Sequence, residues 1–591
     1  MIVGVDTGGT FTDAVADDGR IAKVLSTPAD PVGAVGASVG ELSPDGPPSV
    51  LAHGTTVATN ALLERRGVVV ALVTNEGLAD VIEIARQDRP SLYDPFADRP
   101  EPLVPRRLRY EVAGRLAADG VELTPVGAVP ALDPSVGAVA VCLLHADLNP
   151  AHERTVAASL RARGHDVTAS HEVSPEFREY ERTLTTVVNA FLRPTCRSYL
   201  LGLRDLADEV LVMTSAGGLV PVAEGAELPA ALLLSGPAGG VRAGAEVALA
   251  NGFADAVTFD MGGTSTDVCL VQGGVPEPAP GRVVGGFAIR LPALDVHTIG
   301  AGGGSIASID PGGALVVGPE SAGADPGPAC YGQGGELPTV SDANLVAGRI
   351  PSDASLPGLG RLDLDAARKA MDRAGVDAEG VLRVVNANME RALRAVSVER
   401  GVDPRGLALV AFGGAGPLHA CDLADALGMS AVIVPARAGV LSAVGLAGSP
   451  RQRELVRSWG AASLDGLATA LAALAAEATG LVGRAAASAT FVDCRYAGQS
   501  HELTVPTVAD FHAEHERRNG YARPDAPVEV VALRASARLD APLRLSDLPP
   551  VDRRPVVGPT VITEPDCTIV VPERWRADVR EAGALVLRRR G

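Results

Sequence analysis

Lysine is almost missing from this chain. It stands only at 23 and 369, and arginine fills the rest of the 52 basic positions. A phosphate loop of the Gly-Lys-Ser/Thr kind needs a lysine directly after its glycines, so that nucleotide site is excluded. Cysteine is sparse as well: seven residues (142, 196, 269, 330, 421, 494, 567) are scattered without a Cys-x-x-Cys pair, which disfavours disulfides and iron-sulfur clusters. No GxGxxG sits between a strand and a helix, which disfavours a dinucleotide fold. The start, MIVGVDTGG, has no basic region or cleavage site. The longest Ala/Leu-rich stretch, near 464–481, has helical spacing and contains Glu477, so it reads as an amphipathic helix and not a membrane span. Positive charge is in deficit too. A net charge of -19 argues against nucleic-acid and anionic-membrane partners and fits a cytoplasmic enzyme. The pair His512 and His515 has helical spacing but carboxylate neighbours at Glu514 and Glu516, so a solvated face is the favoured reading and no protein-only transition-metal site is expected. The one nucleophile-elbow match, GASVG with Ser38, lies inside an expected helix, which disfavours a hydrolase triad.

What the chain does contain is a repeated turn. Residues 6–13 read DTGGTFTD and residues 260–267 read DMGGTSTD. The frame Asp-x-Gly-Gly-Thr-x-Thr-Asp aligns Asp6 with Asp260, Gly8 with Gly262, Gly9 with Gly263, Thr10 with Thr264 and Asp13 with Asp267. Each copy lies between two apolar runs, as a strand, a tight turn and a returning strand would. Adjacent glycines let backbone pass close to a ligand, and free amides in such a turn suit an anion. One copy alone is as well explained by ordinary turn formation. Two copies so far apart point to a duplicated domain with a phosphate-type turn on each half. With little lysine, phosphate charge must be met by backbone amides, arginine or a cation, and aspartates at the turn suit Mg2+, which prefers oxygen ligands.

At 591 residues and 47% hydrophobic content, two to four domains are expected. The first 74 residues predict strands at IVGVD, TDAVAD and IAKVLS, a helix over about 31–42, a strand at 50–54, a helix at TVATNALLERRG and a strand at VVVALVT. Residues 75–150 are rich in Pro, Arg and Asp and read as an ordered loop excursion before the VGAVAVCLLH core run. A long helix is expected over 175–205, and RYAGQSHELTV predicts a strand pair turning at Gly498. Glycine clusters at TIGAGGGS (298–305), LLSGPAGGV (233–241) and VAFGGAGPLHA (410–420) fall where strands should end. In the last, a strand runs into Gly413, Gly414 and Gly416 before a helix starts, a place where backbone can approach a flat nucleoside. In HGTTVATN, Thr55 and Thr56 could cap the next helix, whose N-terminus could also receive an anion.

Paired Asp-Gly-Gly-Thr hairpins followed by a Gly-Gly-Ala-Gly turn resemble the superfamily of actin, Hsp70 and sugar kinases. The motifs VDTGGTFTD, HGTTVATNALLER, ARQDRPSLYD, REYERTLTTVVNAFLRP, LLSGPAGGV, FDMGGTSTDV, TIGAGGGSIASID, GPESAGADPGPACYG, AFGGAGPLHA and RYAGQSHEL resemble, more closely, the hydantoinase A / 5-oxoprolinase family. That resemblance implies an α/β fold of duplicated ribonuclease H-like lobes with an interlobe ATP cleft and a mixed α+β C-terminal domain, divided as 1–174, 175–450 and 451–591. It implies an ATP-dependent hydrolase subunit that phosphorylates the carbonyl of a cyclic amide for ring opening. The neighbouring alternatives are an acetone-carboxylase subunit and a non-catalytic ATPase switch. Implied cofactors are ATP and Mg2+; the implied partners are a cyclic amide or ketone substrate and a hydantoinase B-type subunit in a hetero-oligomer. By the same resemblance Asp6 and Asp260 are catalytic and metal-holding. Gly8, Gly9, Thr10, Asp13, Gly262, Gly263, Thr264, Asp267, Gly303, Gly304, Gly413, Gly414 and Gly416 serve the nucleotide. Thr55, Thr56, Asn60 and Arg86 stand on the substrate side. The segment with Glu181 and Arg182 could instead be packing between lobes. Departures from the family pattern are Ala216, where Asn is common, and shortening before LVMTSAGGL and between about 460 and 490.

Overall fold

The computed structural model describes the chain except residues 28, 29, 88, 357, 358, 462 and 591. Two sheets carry the duplication. In the first, β1 (Ile2–Thr7), β2 (Phe11–Ala16), β3 (Ile21–Leu25), β4 (Val50–Thr55) and β5 (Glu209–Met213) lie in the order β3-β2-β1-β4-β5. β2 runs antiparallel to both neighbours, while β1, β4 and β5 are parallel. In the second, β6 (Ala256–Met261), β7 (Thr266–Gln272), β8 (Val275–Pro276), β9 (Ala408–Phe412) and β10 (Ala431–Val434) repeat that order and those directions as β8-β7-β6-β9-β10. The parallel strands are near-continuous apolar runs, as strands covered on both faces require.

Both hairpins close in the same register. Asp6 pairs with Asp13 across the first and Asp260 with Asp267 across the second. Residues directly opposite in an antiparallel pair share one face, so each tight turn brings two carboxylates together.

Four helices position the site: α1 (Glu179–Gly202), α2 (Ser235–Ala250), α3 (Gly416–Leu427) and α4 (Leu441–Ala447). The glycines of LLSGPAGGV fall inside α2, not at a strand end, and there they serve helix packing. A Cβ on Gly445 of α4 would lie 2.0 Å from the Gly239 carbonyl of α2, and one on Gly4 of β1 would lie 2.1 Å from the Ala443 carbonyl of α4. Backbone contact this close leaves no room for any side chain.

The expected segments 1–174, 175–450 and 451–591 do not each form one layer. β5 and the strand Leu219–Pro221 belong to the first sheet. The tail divides: Arg451–Ser458, Ala487–Tyr496 and Val528–Leu539 extend the first sheet, while Trp575–Val579 and Leu585–Arg589 extend the second. The stretch 75–150 holds more than loops. Strand Arg109–Val112 pairs parallel with Val70–Asn75, which pairs with Ala138–Val141, inside a separate four-stranded sheet.

α1 begins within the expected 175–205 range and is tied to that sheet by Arg182. This fully buried guanidinium donates to Asp147, to the Leu143 carbonyl (2.8 Å) and to the Glu176 carbonyl (3.3 Å). In the tail the expected turn at Gly498 has φ +84, and the expected solvated histidine pair is corrected. His515 is buried, bonded through Nδ1 to the Tyr521 carbonyl (2.8 Å) and through Nε2 to Gln499 (3.1 Å), because the helix Phe511–Asn519 packs that side onto Tyr496. Ser38 is buried in a helix and donates to the Val35 carbonyl, where no nucleophile could be reached. Among the described residues no helix is long and apolar enough to cross a membrane.

Candidate functional site

The two turns meet across a cleft. A Cβ on Gly263 would lie 2.5 Å from Thr10 Oγ1, and one on Gly9 would lie 3.5 Å from the Thr264 side chain. The cleft is lined by Asp6, Gly8, Gly9, Thr10 and Asp13 from the first hairpin and by Asp260, Gly262, Gly263, Thr264 and Asp267 from the second. Gly413 and Gly414, at the start of α3, close one side, while Gly236 at the start of α2 and Ser442 in α4 close another. Thus the N-terminal ends of helices reach the cleft, where their unpaired amides and dipoles favour an anion.

The turn amides are divided between two tasks. Gly8 N donates to Phe11 O (3.0 Å) and Gly262 N to Ser265 O (3.1 Å), so these two close the turns. The amides of Gly9, Thr10, Gly263 and Thr264 make no described backbone hydrogen bond, and these four residues line the cleft. Thr10 Oγ1 is buried and also without a partner.

Four carboxylates gather here against one ammonium. Lys23 Nζ bonds Asp13 at 2.6 Å, placed by a strand register that sets Lys23 opposite Asp13. Asp6 Oδ1 is buried with no partner. Asp260 accepts from Ser442 Oγ (3.1 Å), and Asp267 from Thr298 and Ser265 hydroxyls. Burial first, then the neighbouring aspartates, push Asp6 up to about 7 and Asp260 to about 8; burial pushes Asp267 to about 6. Burial also raises Asp13, with Lys23 opposing it. An all-oxygen donor set with an orphaned carboxylate oxygen and crowded negative charge fits a hard divalent cation such as Mg2+. Asp6 and Asp260 are the residues that would hold it.

This crowding has a sign for stability. The folded values of Asp6 and Asp260 lie above the 3.8 of an unfolded aspartate, so between about pH 4 and pH 8 the folded, ligand-free chain binds protons that the unfolded chain has lost. Their contribution is fully present below the unfolded value and is lost as pH rises through the folded ones. The melting temperature of the ligand-free protein is therefore expected to drop from pH 5 to 8.5 more steeply than that of the Asp6→Asn/Asp260→Asn double variant. Parallel curves for the two proteins would contradict the assignment.

The remaining anticipated residues divide by place. Gly303 lines the cleft, but its amide donates to Gly262 O (3.0 Å) and that of Gly304 to Gly263 O (2.6 Å), so this loop buttresses the second turn. Gly413 has φ +77, and a Cβ there would sit 2.4 Å from Asp260 Oδ1. Gly414 has open space before it. Gly416 lies buried beneath, as the first residue of α3. Thr56 lines the cleft and donates to the Thr7 carbonyl (3.1 Å). Thr55 is buried outside the lining and accepts from Val57 N, supporting the helix start. Asn60 is exposed on that helix. Arg86 is outside the cleft, forked onto Glu181 of α1 (Nε–Oε1 2.8 Å) with half of its side chain exposed. Exposed pairs of this sort contribute about 0–1 kcal/mol. Arg86→Gln is accordingly expected to leave KM for MgATP unchanged and to lower stability by no more than about 1 kcal/mol, measured by urea unfolding.

Sequence reasoning did not anticipate Lys23, Thr298, Ser442 or the loop 563–568, which enters the cleft from the C-terminal tail and whose Asp566 accepts from Gly439 N (2.7 Å). Lys23 had a usable signal, as one of two lysines. Ser442 and the tail loop had none.

Twin strand orders with facing acidic hairpins define a duplicated ribonuclease H-like protein of the actin, Hsp70 and sugar-kinase architecture, its cleft lying between the lobes. The chain belongs to the hydantoinase/oxoprolinase family: the hydantoinase/oxoprolinase family model matches residues 182–453, and that of the family's N-terminal region matches residues 2–164. It is 34% identical to the caprolactamase subunit alpha of Pseudomonas jessenii, over 98% of this chain and 97% of that one. It is likewise 34% identical to 5-oxoprolinase 1 of Arabidopsis thaliana, over 75% of this chain and 41% of that protein. The crystal structure of the ATP-dependent caprolactamase from Pseudomonas jessenii superposes with a TM-score of 0.84 at 31% identity, covering 100% of both chains.

Proposed function

We propose that this chain is the ATP-binding subunit of a cytoplasmic cyclic amide hydrolase, in which the carbonyl oxygen of a lactam-type ring is phosphorylated and the ring is then opened with a B-type partner subunit. The observation that carries the reading is the meeting of the two hairpins, which gathers Asp6, Asp13, Asp260 and Asp267 beside unpaired turn amides. Full-length similarity to a caprolactamase subunit and a shared fold with an ATP-dependent caprolactamase support the substrate class.

In this reading the amides of Gly9, Thr10, Gly263 and Thr264 and the free hydroxyl of Thr10 donate to phosphate oxygens from opposite lobes. Asp6 and Asp260 would hold Mg2+, which would supply charge neutralisation for the phosphates. Gly414 gives the nucleoside an open backbone surface. Asp260, in its ionised form, takes the proton from the amide as the amide oxygen is phosphorylated. The net change consumes one ATP and two waters and gives ADP, phosphate and the ring-opened amino carboxylate. An unreactive amide needs this activation because its carbonyl is poorly electrophilic; phosphorylation converts its oxygen into a leaving group.

The test is phosphate release from MgATP across hydantoins, 5-oxoproline, simple lactams and acetone with bicarbonate, with and without a co-expressed B-type subunit. Stimulation by one cyclic amide, with an opened product and free phosphate, is expected. Phosphate retained on a stable product would instead make the chain a kinase. Release indifferent to every substrate with the partner present would make it an ATPase switch.

A further inference from the structure

Further along the same two helices that frame the cleft lies a second cavity, of about 460 Å³, within the ~300–1,000 Å³ range of small-ligand pockets. α2 contributes Arg242 and Glu246, α4 and its end contribute Gly445 and Gly448, and the segment after the long strand Val528–Leu539 brings Asp540 and Arg544 beside Arg538. Three arginines therefore line one open cavity, Arg242 half-buried at its wall and Arg538 and Arg544 exposed at its mouth. Several other buried or half-buried arginines are ion-paired, as with Arg182–Asp147, Arg290–Glu176, Arg534–Asp493 and Arg553–Glu564, whereas Arg282 and Arg437 donate to backbone carbonyls. Among the described residues none forms an ion pair or side-chain hydrogen bond with the guanidinium of Arg242, Arg538 or Arg544.

The two acidic residues of the cavity do not balance them. Asp540 is exposed, and burial raises the Glu246 carboxyl above its ordinary range although all three arginines oppose that shift. Burial, with Arg538 adding repulsion, lowers Arg242 to about 10, which still leaves it charged at neutral pH. Three cations side by side with their forks unfilled, in a chain of net charge -19, offer an anion a local positive site.

We propose that this cavity is a second ligand site, one that takes a small oxyanion, a phosphate or carboxylate group, on Arg242, Arg538 and Arg544. Guanidinium forks match such groups two hydrogen bonds at a time. The site is mechanically joined to the nucleotide cleft. α2 and α4 touch backbone to backbone at Gly239 and Gly445, α2 carries Gly236 into the cleft, and α4 carries Ser442, whose hydroxyl bonds Asp260. An anion on Arg242 thus bears on the helix pair that sets the acidic cluster.

The experiment is calorimetric titration of the full chain with inorganic phosphate and, separately, with acetate, both with and without a saturating non-hydrolysable MgATP analogue that blocks the cleft. Saturable binding of at least one anion is expected to persist with the cleft blocked, and to weaken at least about tenfold in Arg242→Gln and in Arg544→Gln. Binding of phosphate alone identifies a phosphate group as the ligand, and binding of acetate alone a carboxylate. Should Arg242→Gln not fold, the exposed Arg538→Gln serves in its place. No saturable binding of either anion, or binding indifferent to all three substitutions, overturns the proposal. The site rests on its own cavity, so a chain that binds no nucleotide would still show arginine-dependent anion titration.

Discussion

Replacing Asp260 by asparagine is expected to reduce MgATP turnover by roughly 1,000-fold or more while the folded protein persists. Asn keeps the size of the side chain and can still meet the Ser442 hydroxyl, so packing around the second hairpin is preserved. What disappears is one negative charge at the place where a cation and a proton must be managed. The loss should fall on kcat, since the turn amides proposed to bind the phosphates are untouched. A second measurement guards against a trivial explanation. Asp260 is raised by burial and by Asp267, Asp6 and Asp13, so removing its charge relieves the ligand-free cluster. At pH 8 the ligand-free variant should melt no lower than the parent. Turnover close to the parent's would remove Asp260 from the mechanism, whereas a variant that melts well below the parent would show that its role is structural.

Arg182→Ala is expected to cost about 3–5 kcal/mol of stability, the range found when one partner of a buried ion pair is deleted. Arg182 is only 1% exposed and Asp147 6%, so truncation strands a carboxylate away from water and also orphans the Leu143 and Glu176 carbonyls. Denaturant unfolding of Arg182→Ala, Asp147→Asn and the double variant measures this. The double variant should be more stable than the sum of the single losses predicts, because the stranded charge is then gone. Simple additivity would mean that the pair is not coupled. Arg182 lies within the family motif REYERTLTTVVNA, yet its contacts place it in the joint between α1 and the four-stranded sheet and not in the cleft.

The hairpins were readable from sequence because everything that makes them is local. Apolar strands, a two-glycine turn and the aspartate spacing determine the register, and register decides that Asp6 faces Asp13 and Asp260 faces Asp267. The strand-to-helix turn at Gly413–Gly416 is local in the same way. The reasons behind single glycines were not local. At Gly304 and Gly413 a side chain would run into the Gly263 carbonyl and the Asp260 carboxylate, groups set by distant segments. Arg86 is a surface fork on Glu181, and His515 is core, although their immediate neighbours are polar in both cases. A one-residue window cannot register which face of a helix another segment will cover.

The sequence by itself determined the duplication, the two acidic turns and the exclusion of a lysine-based phosphate loop, since each depends on residue type and short spacing. Tertiary structure alone decided that the turns touch, that Lys23 is the single ammonium beside the acidic cluster, and that a tail loop at 563–568 reaches the cleft. It also decided that the tail would extend both central sheets, because a strand edge offers backbone hydrogen bonds that any suitably placed strand can take. The physical reason is common to all three: short-range geometry fixes a turn, whereas the pooling of charge from distant turns depends on how helices such as α2 and α4 let two lobes close on one another.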